Sequence, residues 1–115
     1  MTPWKVEFMA EAERDRDNLD RSQRIQVDKA IYKVSKNPLP QSEGGYGKPL
    51  GNMQSKNLTG LLKIKLLKLG IRIVYKIIRT DEIMKIIVIA ARADNEVYDV
   101  ASRRIFKASY GLPQD

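Results

Sequence analysis

The stretch from Leu61 to Ile77, LLKIKLLKLGIRIVYKI, decides the fold because apolar and polar residues alternate on both sides of a short turn. Alternation of this kind, rich in β-branched residues, predicts two strands, Leu61–Leu67 and Ile71–Arg79. Neighbouring side chains on a strand point to opposite faces of the sheet. The apolar residues of the first strand therefore share one face, and Lys63 and Lys65 share the other.

The short turn between these strands predicts where further cations lie. In an antiparallel hairpin of this length, Lys65 comes close to Arg72. A third predicted strand, Ile83–Ala91, ends just before Arg92. Like charges that face each other across strands repel, so a whole cluster of cations favours a role in binding an anion. Lys63 or Lys65 alone is also explained as a surface lysine that prevents strands from aggregating. The predicted cation face, which we expect to be open, comprises Lys63, Lys65, Arg72 and Arg92, with Tyr98 at its rim.

The remaining segments predict one strand and three helices around this core. Trp4–Phe8 alternates like a strand, and Met9–Asn37 is rich in helix formers and lacks Gly and Pro, with a break at Asn18 or Asp20. Asn95–Lys107 predicts the last helix, which Asp94 or Asn95 can cap. The predicted order is β-α-α-β-β-β-α, an α+β domain with an antiparallel sheet packed on helices.

A long segment, Asn37–Gly60, differs in composition from the rest. It holds five of the seven glycines and three of the five prolines. We expect a long irregular connection over the surface, packed by Leu50 and Met53, and connections of this length are usually functional or disordered. Its glycines lack the spacing of a phosphate-binding P-loop. The whole chain, residues 1–115, is expected to form one domain with a flexible tail at residues 108–115.

The composition excludes several kinds of chemistry. The chain has 115 residues with no cysteine and no histidine, which rules out disulfides, thiolate catalysis, a Ser-His-Asp triad and His or Cys zinc ligands. Because Asp and Glu are scattered, we expect no metal and no cofactor. The absence of cysteine suits a reducing cytoplasm. No apolar run is long enough to predict a membrane span.

The net charge of +7 is concentrated in one part of the chain. From Gly44 to Thr80 there are eight basic residues and no acidic one. A segment with charges of one sign favours a polyanionic partner, either a nucleic acid or an acidic protein. A basic surface that only keeps the protein soluble explains the charge equally well.

The ordered motifs LLKIKLLKLGIRIVYKI and IIVIAARADNEVYDVASRRI are similar to those of a known family. Over residues 57–105 the chain resembles the RelE branch of the RelE/ParE toxin superfamily of toxin–antitoxin systems. The resemblance implies a RelE-like microbial ribonuclease fold and a small basic toxin in the cytoplasm. It further implies a metal-independent endoribonuclease that cuts mRNA in the ribosomal A site and is held inactive by a cognate antitoxin.

The resemblance also implies the site residues. The family uses two lysines in a K-x-K strand, an arginine in the next strand, an arginine before the last helix and a tyrosine in E-V-Y. In this sequence those positions are Lys63, Lys65, Arg72, Arg92 and Tyr98.

With histidine absent, RNA cleavage by attack of the 2′-hydroxyl, which leaves a 2′,3′-cyclic phosphate, requires other groups. Lys65 is the expected general base, because crowding by Lys63 and Arg72 disfavours its charged form. Arg72 suits the scissile phosphate, and Lys63 the charge that builds on phosphorus. Arg92 is expected to support the leaving group, and Tyr98 to stack on a base, unless its ring only covers the edge of the core.

Three other functions remain open at this stage. A ParE-like toxin with the same fold would act on gyrase. A basic module could bind nucleic acid or the ribosome without chemistry, and its binding would then be sensitive to salt. An inactive relic of a toxin could persist as a partner of the antitoxin.

Overall fold

A five-stranded sheet forms the centre of the protein in a computed structural model that describes residues 2–50 and 60–109. The strands lie in the order β1-β5-β4-β3-β2, in which β1 is parallel to β5 and the other neighbours are antiparallel. The predicted α+β class and element order are confirmed, with two differences: β2 is an additional short strand, and the β1–β5 pair is parallel. The strands are β1 Lys5–Phe8, β2 Lys48–Pro49, β3 Leu61–Leu66, β4 Ile71–Ile78 and β5 Ile83–Ala90.

The helices are α1 Ala10–Asp17, α2 Arg21–Ser35 and α3 Asp94–Ser109. The predicted break between the first two is confirmed, because Asn18 caps the end of α1 and Asp20 caps the start of α2. The carboxylate of Asp20 accepts a hydrogen bond from the Gln23 backbone N–H, and the Gln23 side chain accepts one from the Asp20 N–H. In the part of the chain that the structure describes, no helix has the length and apolarity to cross a membrane.

The two faces of the sheet are covered differently. The apolar stripe of α2, which is formed by Val27, Ile31 and Val34, is buried. Tyr75 on β4 is fully buried, and its hydroxyl donates a hydrogen bond of 2.8 Å to the carbonyl of Pro38, just after α2. Burial raises the pKa of the Tyr75 phenol, so this hydroxyl stays protonated. The opposite face of β4, which carries the predicted cations, meets α3 instead.

A β-bulge in β5 explains the run of apolar residues in that strand. Val74 pairs with Val88, but Tyr75 pairs with Ile86, so Ile87 is an extra residue in β5. The bulge shifts the alternation of β5 by one residue and keeps Val88 on the face of α3 and Ile86 on the face of Tyr75. Since helices cover both faces, each of these β5 residues is buried.

The first part of the predicted irregular segment is more ordered than expected. It contains a 3₁₀ turn at Gln41–Glu43 and the two-residue strand β2, and Arg79 forms a bidentate ion pair with Glu43 at 2.7 and 2.9 Å. Leu50 is buried, as predicted, whereas Met53 lies outside the described residues. Residues 51–59 and 110–115, and so most of the predicted tail, also lie outside them. The helix α3 continues to Ser109, beyond the predicted end at Lys107.

Asp15 on α1 joins three elements of the fold. Its carboxylate accepts hydrogen bonds from the Ile89 backbone N–H at 3.0 Å and from the Arg104 guanidinium at 2.7 Å. Arg104 also donates to the carbonyl of Ile87 at 2.8 Å. β1 ends opposite Ile86, so these side chains satisfy backbone groups of β5 that β1 does not reach.

We therefore expect Asp15→Ala to lower the free energy of unfolding by about 2 kcal/mol, because it leaves a backbone N–H and a guanidinium without their acceptor. Asp17→Ala is the matched control, since Asp17 is also on α1 but its side chain is 65% exposed and its ion pair with Arg16 spans 4.0 Å. The control change is expected to stay within about 0.5 kcal/mol. Urea denaturation measures both, and equal effects would contradict the role given to Asp15.

Candidate active site

The hairpin of β3 and β4 brings the predicted cations together. Lys65 lies directly opposite Arg72, as predicted, and Lys63 lies opposite Val74. The predicted open face is wrong, however, because α3 crosses this face and contacts it through Asp94 and Tyr98. The cations are therefore partly covered: the side chains of Lys65 and Arg72 are 29% and 26% exposed.

Asp94, the first residue of α3, places a carboxylate between the two facing cations. Lys65 Nζ donates a hydrogen bond of 3.0 Å to Asp94 Oδ2, and Arg72 Nε donates one to Asp94 Oδ1. The sequence suggests Asp94 only as a helix cap, and it is not among the predicted site residues. A signal that could have found it is an acid at the first residue of α3, close in sequence to a strand hairpin rich in cations.

The environment of Asp94 keeps it ionised. Burial raises its pKa, but hydrogen bonds from Lys65 and Arg72 and the charges of both cations lower it by more, so the net pKa lies below the ordinary value. The two cations thus share an internal counterion. Within the described ranges no three His, Cys, Asp or Glu side chains are grouped to hold a metal ion.

The ion pair changes what Lys65 can do in the absence of substrate. Crowding by Lys63 and Arg72 was the reason to expect a weakened charge on Lys65, and that expectation leaves out Asp94. A carboxylate 3.0 Å from Lys65 Nζ offsets the repulsion from Arg72. Lys65 Nζ is therefore engaged by Asp94 in the absence of substrate.

Arg72 is fixed by backbone groups on both sides of the site. Its Nη1 atom donates hydrogen bonds to the carbonyls of Gly70 at 3.3 Å and Arg92 at 2.6 Å. The second bond ties the segment before α3 to the sheet. Arg92 itself is exposed, and among the described residues no side-chain partner holds its guanidinium. The structure therefore brings the backbone of Arg92 to the cluster and leaves its side chain at the rim.

Tyr98 is a buried partner of Lys63. Only 2% of Tyr98 is exposed, and its hydroxyl accepts a hydrogen bond of 2.7 Å from Lys63 Nζ. The expectation that Tyr98 stacks on a base does not fit this structure, because no ring face is open to a base. Tyr98 instead positions Lys63.

The arrangement offers anion binding at a defined place. Lys65 and Arg72 point at one carboxylate, Lys63 is oriented beside them, and the exposed Arg92 lies at the edge. A phosphate diester carries the same charge as a carboxylate and offers oxygens to the same donors. The site can therefore exchange its internal anion for a phosphate that enters from solvent.

Comparisons with known proteins identify the fold. No family model and no curated protein matches this chain. Among solved structures, a mutant of the Escherichia coli toxin RelE in the free state superposes with a TM-score of 0.68 at 23% identity and covers 90% of this chain and 99% of its own. The isolated E. coli RelE toxin gives 0.64 at 25% identity and covers 89% of this chain and 98% of its own.

A third similar structure is the toxin–antitoxin complex RelBE2 from Mycobacterium tuberculosis. It superposes with a TM-score of 0.64 at 26% identity and covers 81% of this chain and 95% of its own. All three matches span nearly the full length of the known chains. The protein therefore has a RelE-like toxin fold.

The ion pairs of Asp94 lead to a prediction about pH. Because the pKa of Asp94 in the folded protein lies below its unfolded value of about 3.9, its contribution to stability is fully present above about pH 4 and is lost as the pH falls through the folded pKa. At neutral pH we expect the free energy of unfolding of the parent protein to exceed that of Asp94→Asn by at most about 1 kcal/mol, since the Asp94 side chain is a third exposed.

Urea denaturation of both proteins at pH 7 and in acid measures this difference. The two free energies of unfolding are expected to converge in acid. A difference that is the same at both pH values would show that the asparagine acts by altering packing or helix capping and not through the ion pairs.

Proposed function

We propose, on the premise of the RelE-like fold, that the protein is the toxin of a toxin–antitoxin pair and an endoribonuclease that cuts mRNA in the ribosomal A site. The observation that carries this proposal is the convergence of Lys65 and Arg72 on one anion position beside α3, with Lys63 on the same face of the sheet and bonded to Tyr98. Cations that converge in this way on a fold shared with RelE toxins support RNA phosphate as the substrate group.

The proposed reaction is a transfer within the RNA strand. The 2′-oxygen attacks the neighbouring phosphorus and loses its proton to a base, and the bond from phosphorus to the 5′-oxygen breaks. The 5′-oxygen takes up a proton as it leaves. The products are one strand that ends in a 2′,3′-cyclic phosphate and one that begins with a 5′-hydroxyl.

The first event in this proposal is the displacement of Asp94 by the scissile phosphate. Arg72 binds two phosphate oxygens, because its guanidinium is held at the correct place by the carbonyls of Gly70 and Arg92. Lys63, oriented by Tyr98, adds charge as negative charge builds on the phosphorus. Asp94 moves toward solvent because a second anion at this position would repel it.

Lys65 acts as the base once it has left Asp94 and its ammonium group has released a proton to solvent water. A lysine takes a proton only as the free amine, so loss of its carboxylate partner must precede this role. Exposed Arg92 is free to approach the leaving 5′-oxygen from the rim and to stabilise its charge. Alignment of the RNA by the ribosome would supply much of the rate, as positioning does for reactions with weak catalytic groups.

A cognate antitoxin is the second partner in the proposal. The M. tuberculosis structure is a toxin–antitoxin complex, and its likeness to this chain supports the same kind of partner here. The net charge of +7 favours an antitoxin with acidic segments. Both partners, and the absence of cysteine, fit a cytoplasmic protein.

Lys65→Ala is expected to slow cutting at least about 100-fold, because it removes the base. Lys85→Ala is the matched control: its side chain is also 29% exposed and lies on the same sheet face, where it pairs with Glu7 at 3.6 Å. Purified protein is added to a translating extract with a defined mRNA, and new 3′ ends are mapped by primer extension with and without ribosomes.

The outcomes of this assay distinguish the proposed function from its alternatives. Cuts that need ribosomes and disappear only in Lys65→Ala support the proposal. Cuts on free RNA would make the protein a ribosome-independent ribonuclease. No cuts from the parent protein would contradict the proposal and favour a gyrase toxin, which accumulates DNA breaks, or a basic module without catalysis.

The Asp94→Asn variant tests whether Asp94 is an internal counterion or the general base. If Asp94 only competes with phosphate, the asparagine variant is expected to keep cutting and to bind uncleavable RNA about two- to fivefold more tightly, since an exposed ion pair contributes up to about 1 kcal/mol. Fluorescence anisotropy measures the affinity, and primer extension measures the rate. Loss of cutting with unchanged affinity would transfer the role of base from Lys65 to Asp94.

A further inference from the structure

A groove lies at the edge of β3 beside α2. It has a volume of about 310 Å³, and both Lys63 and Lys65 contribute to its lining. Its far end is lined by Lys33 on α2, Tyr46 in the connection and Lys48 on β2. The groove therefore shares Lys63 and Lys65 with the site but is otherwise formed by elements to which the proposed cleavage gives no role.

The charge of the groove favours an anionic occupant. Four of the described residues that line it are lysines and none is Asp or Glu; the ammonium groups of Lys63 and Lys65 are held by Tyr98 and Asp94. Lys33 and Lys48 at its far end are both exposed. An acidic peptide segment would also be anionic, but a nucleic-acid strand carries one negative charge at every nucleotide together with bases that can stack.

Tyr46 gives the groove a flat surface on which a base can stack. It is 49% exposed, and Lys33 Nζ lies 5.5 Å from the centre of its ring. An exposed aromatic ring among lysines is the combination with which proteins bind single-stranded RNA. The bases of a duplex are already stacked, so this surface selects single strands.

The backbone around Tyr46 is held rigidly. The Tyr46 N–H donates to the carbonyl of Asn37 at 3.0 Å. A Cβ at Gly45 would lie 2.0 Å from the oxygen of Leu39, and one at Gly47 would lie 2.4 Å from the hydroxyl of Tyr75. Only glycine allows such close packing at these positions. The backbone that carries the ring is therefore closely packed before RNA arrives, which reduces the entropy lost on binding.

We infer that this groove binds the single-stranded RNA that flanks the scissile phosphate, with one base stacked on Tyr46 and the backbone held by Lys33 and Lys48. The inference rests on the proposed function, because it takes the strand to be the one that the cation site cuts. It adds a second RNA contact, outside the reacting groups, that sets the path of the strand.

The test is the affinity of the full chain for a fluorescein-labelled, uncleavable RNA of about ten nucleotides, measured by anisotropy at low salt. Tyr46→Ala is expected to weaken binding about 5- to 100-fold, and Tyr46→Phe, which keeps the ring, is expected to bind like the parent. Lys33→Gln is expected to reduce the dependence of log affinity on log salt by about 0.7.

Tyr32→Ala is the matched control. Tyr32 is also on the surface, 59% exposed, with Lys36 Nζ 5.0 Å from its ring centre, but it does not line the groove. Equal affinities for Tyr46→Ala, Tyr32→Ala and the parent would overturn the inference. Failure of the parent to bind this RNA would also overturn the inference. A Tyr46→Ala variant that changes only self-association in sedimentation would overturn it as well and would assign the groove to a second copy of the chain.

The cutting assay separates this inference from the proposed function. If the parent cuts no RNA but Tyr46→Ala still weakens RNA binding, RNA binding in the groove is supported and the nuclease proposal is contradicted. If the parent cuts mRNA on ribosomes and Tyr46→Ala binds RNA with the affinity of the parent, the nuclease proposal is supported and the groove is excluded as an RNA-binding path.

Discussion

The ion pairs of Asp94 with Lys65 and Arg72 are the interaction on which the site depends. The hairpin of β3 and β4 places these two cations directly opposite each other, and such a pair repels unless an anion lies between them. Asp94 supplies that anion from the first residue of α3. The same contact fixes the start of α3 against the sheet, so the charge balance of the site and the position of the helix are coupled.

The rest of the fold maintains this geometry. The bulge at Ile87 lets β5 bury residues on both faces while Val88 stays opposite Val74, beneath α3. Asp15 and Arg104 hold α1, β5 and α3 together farther from the site. Because the Asp15 and Arg104 contacts do not involve Asp94, the proposed exchange of anions leaves them in place and affects only the start of α3.

Much of the fold follows from local patterns in the sequence. The alternation around Lys65 and Arg72 predicts the hairpin register, and the capping residue Asp20 predicts the helix break. β2 is missed because two residues that include Pro49 carry no strand pattern and pair only through tertiary contact. The bulge at Ile87 is missed because a run of apolar residues does not show which face each one occupies.

The sequence predicts which residues form the site better than it predicts the surroundings of those residues. The resemblance places Lys63, Lys65 and Arg72 together, and the structure does so too. It does not predict that α3 covers this face, so Tyr98 is expected at an exposed rim but is buried against Lys63. Asp94 is overlooked because its cap propensity is a local property, whereas its pairing with the sheet depends on how α3 packs.

The most direct measurement is the ¹³C NMR signal of the Asp94 carboxylate while the protein is saturated with an uncleavable RNA that has a 2′-deoxy sugar at the cut. Asp28, which pairs with Arg16 at 2.6 Å outside the site, is the internal reference. If phosphate takes the place of Asp94, the Asp94 signal shifts, its pKa rises toward the ordinary value, and Asp28 stays unchanged. An Asp94 signal that does not move at saturation would show that RNA binds without entering the cation site, and would contradict the proposed active site.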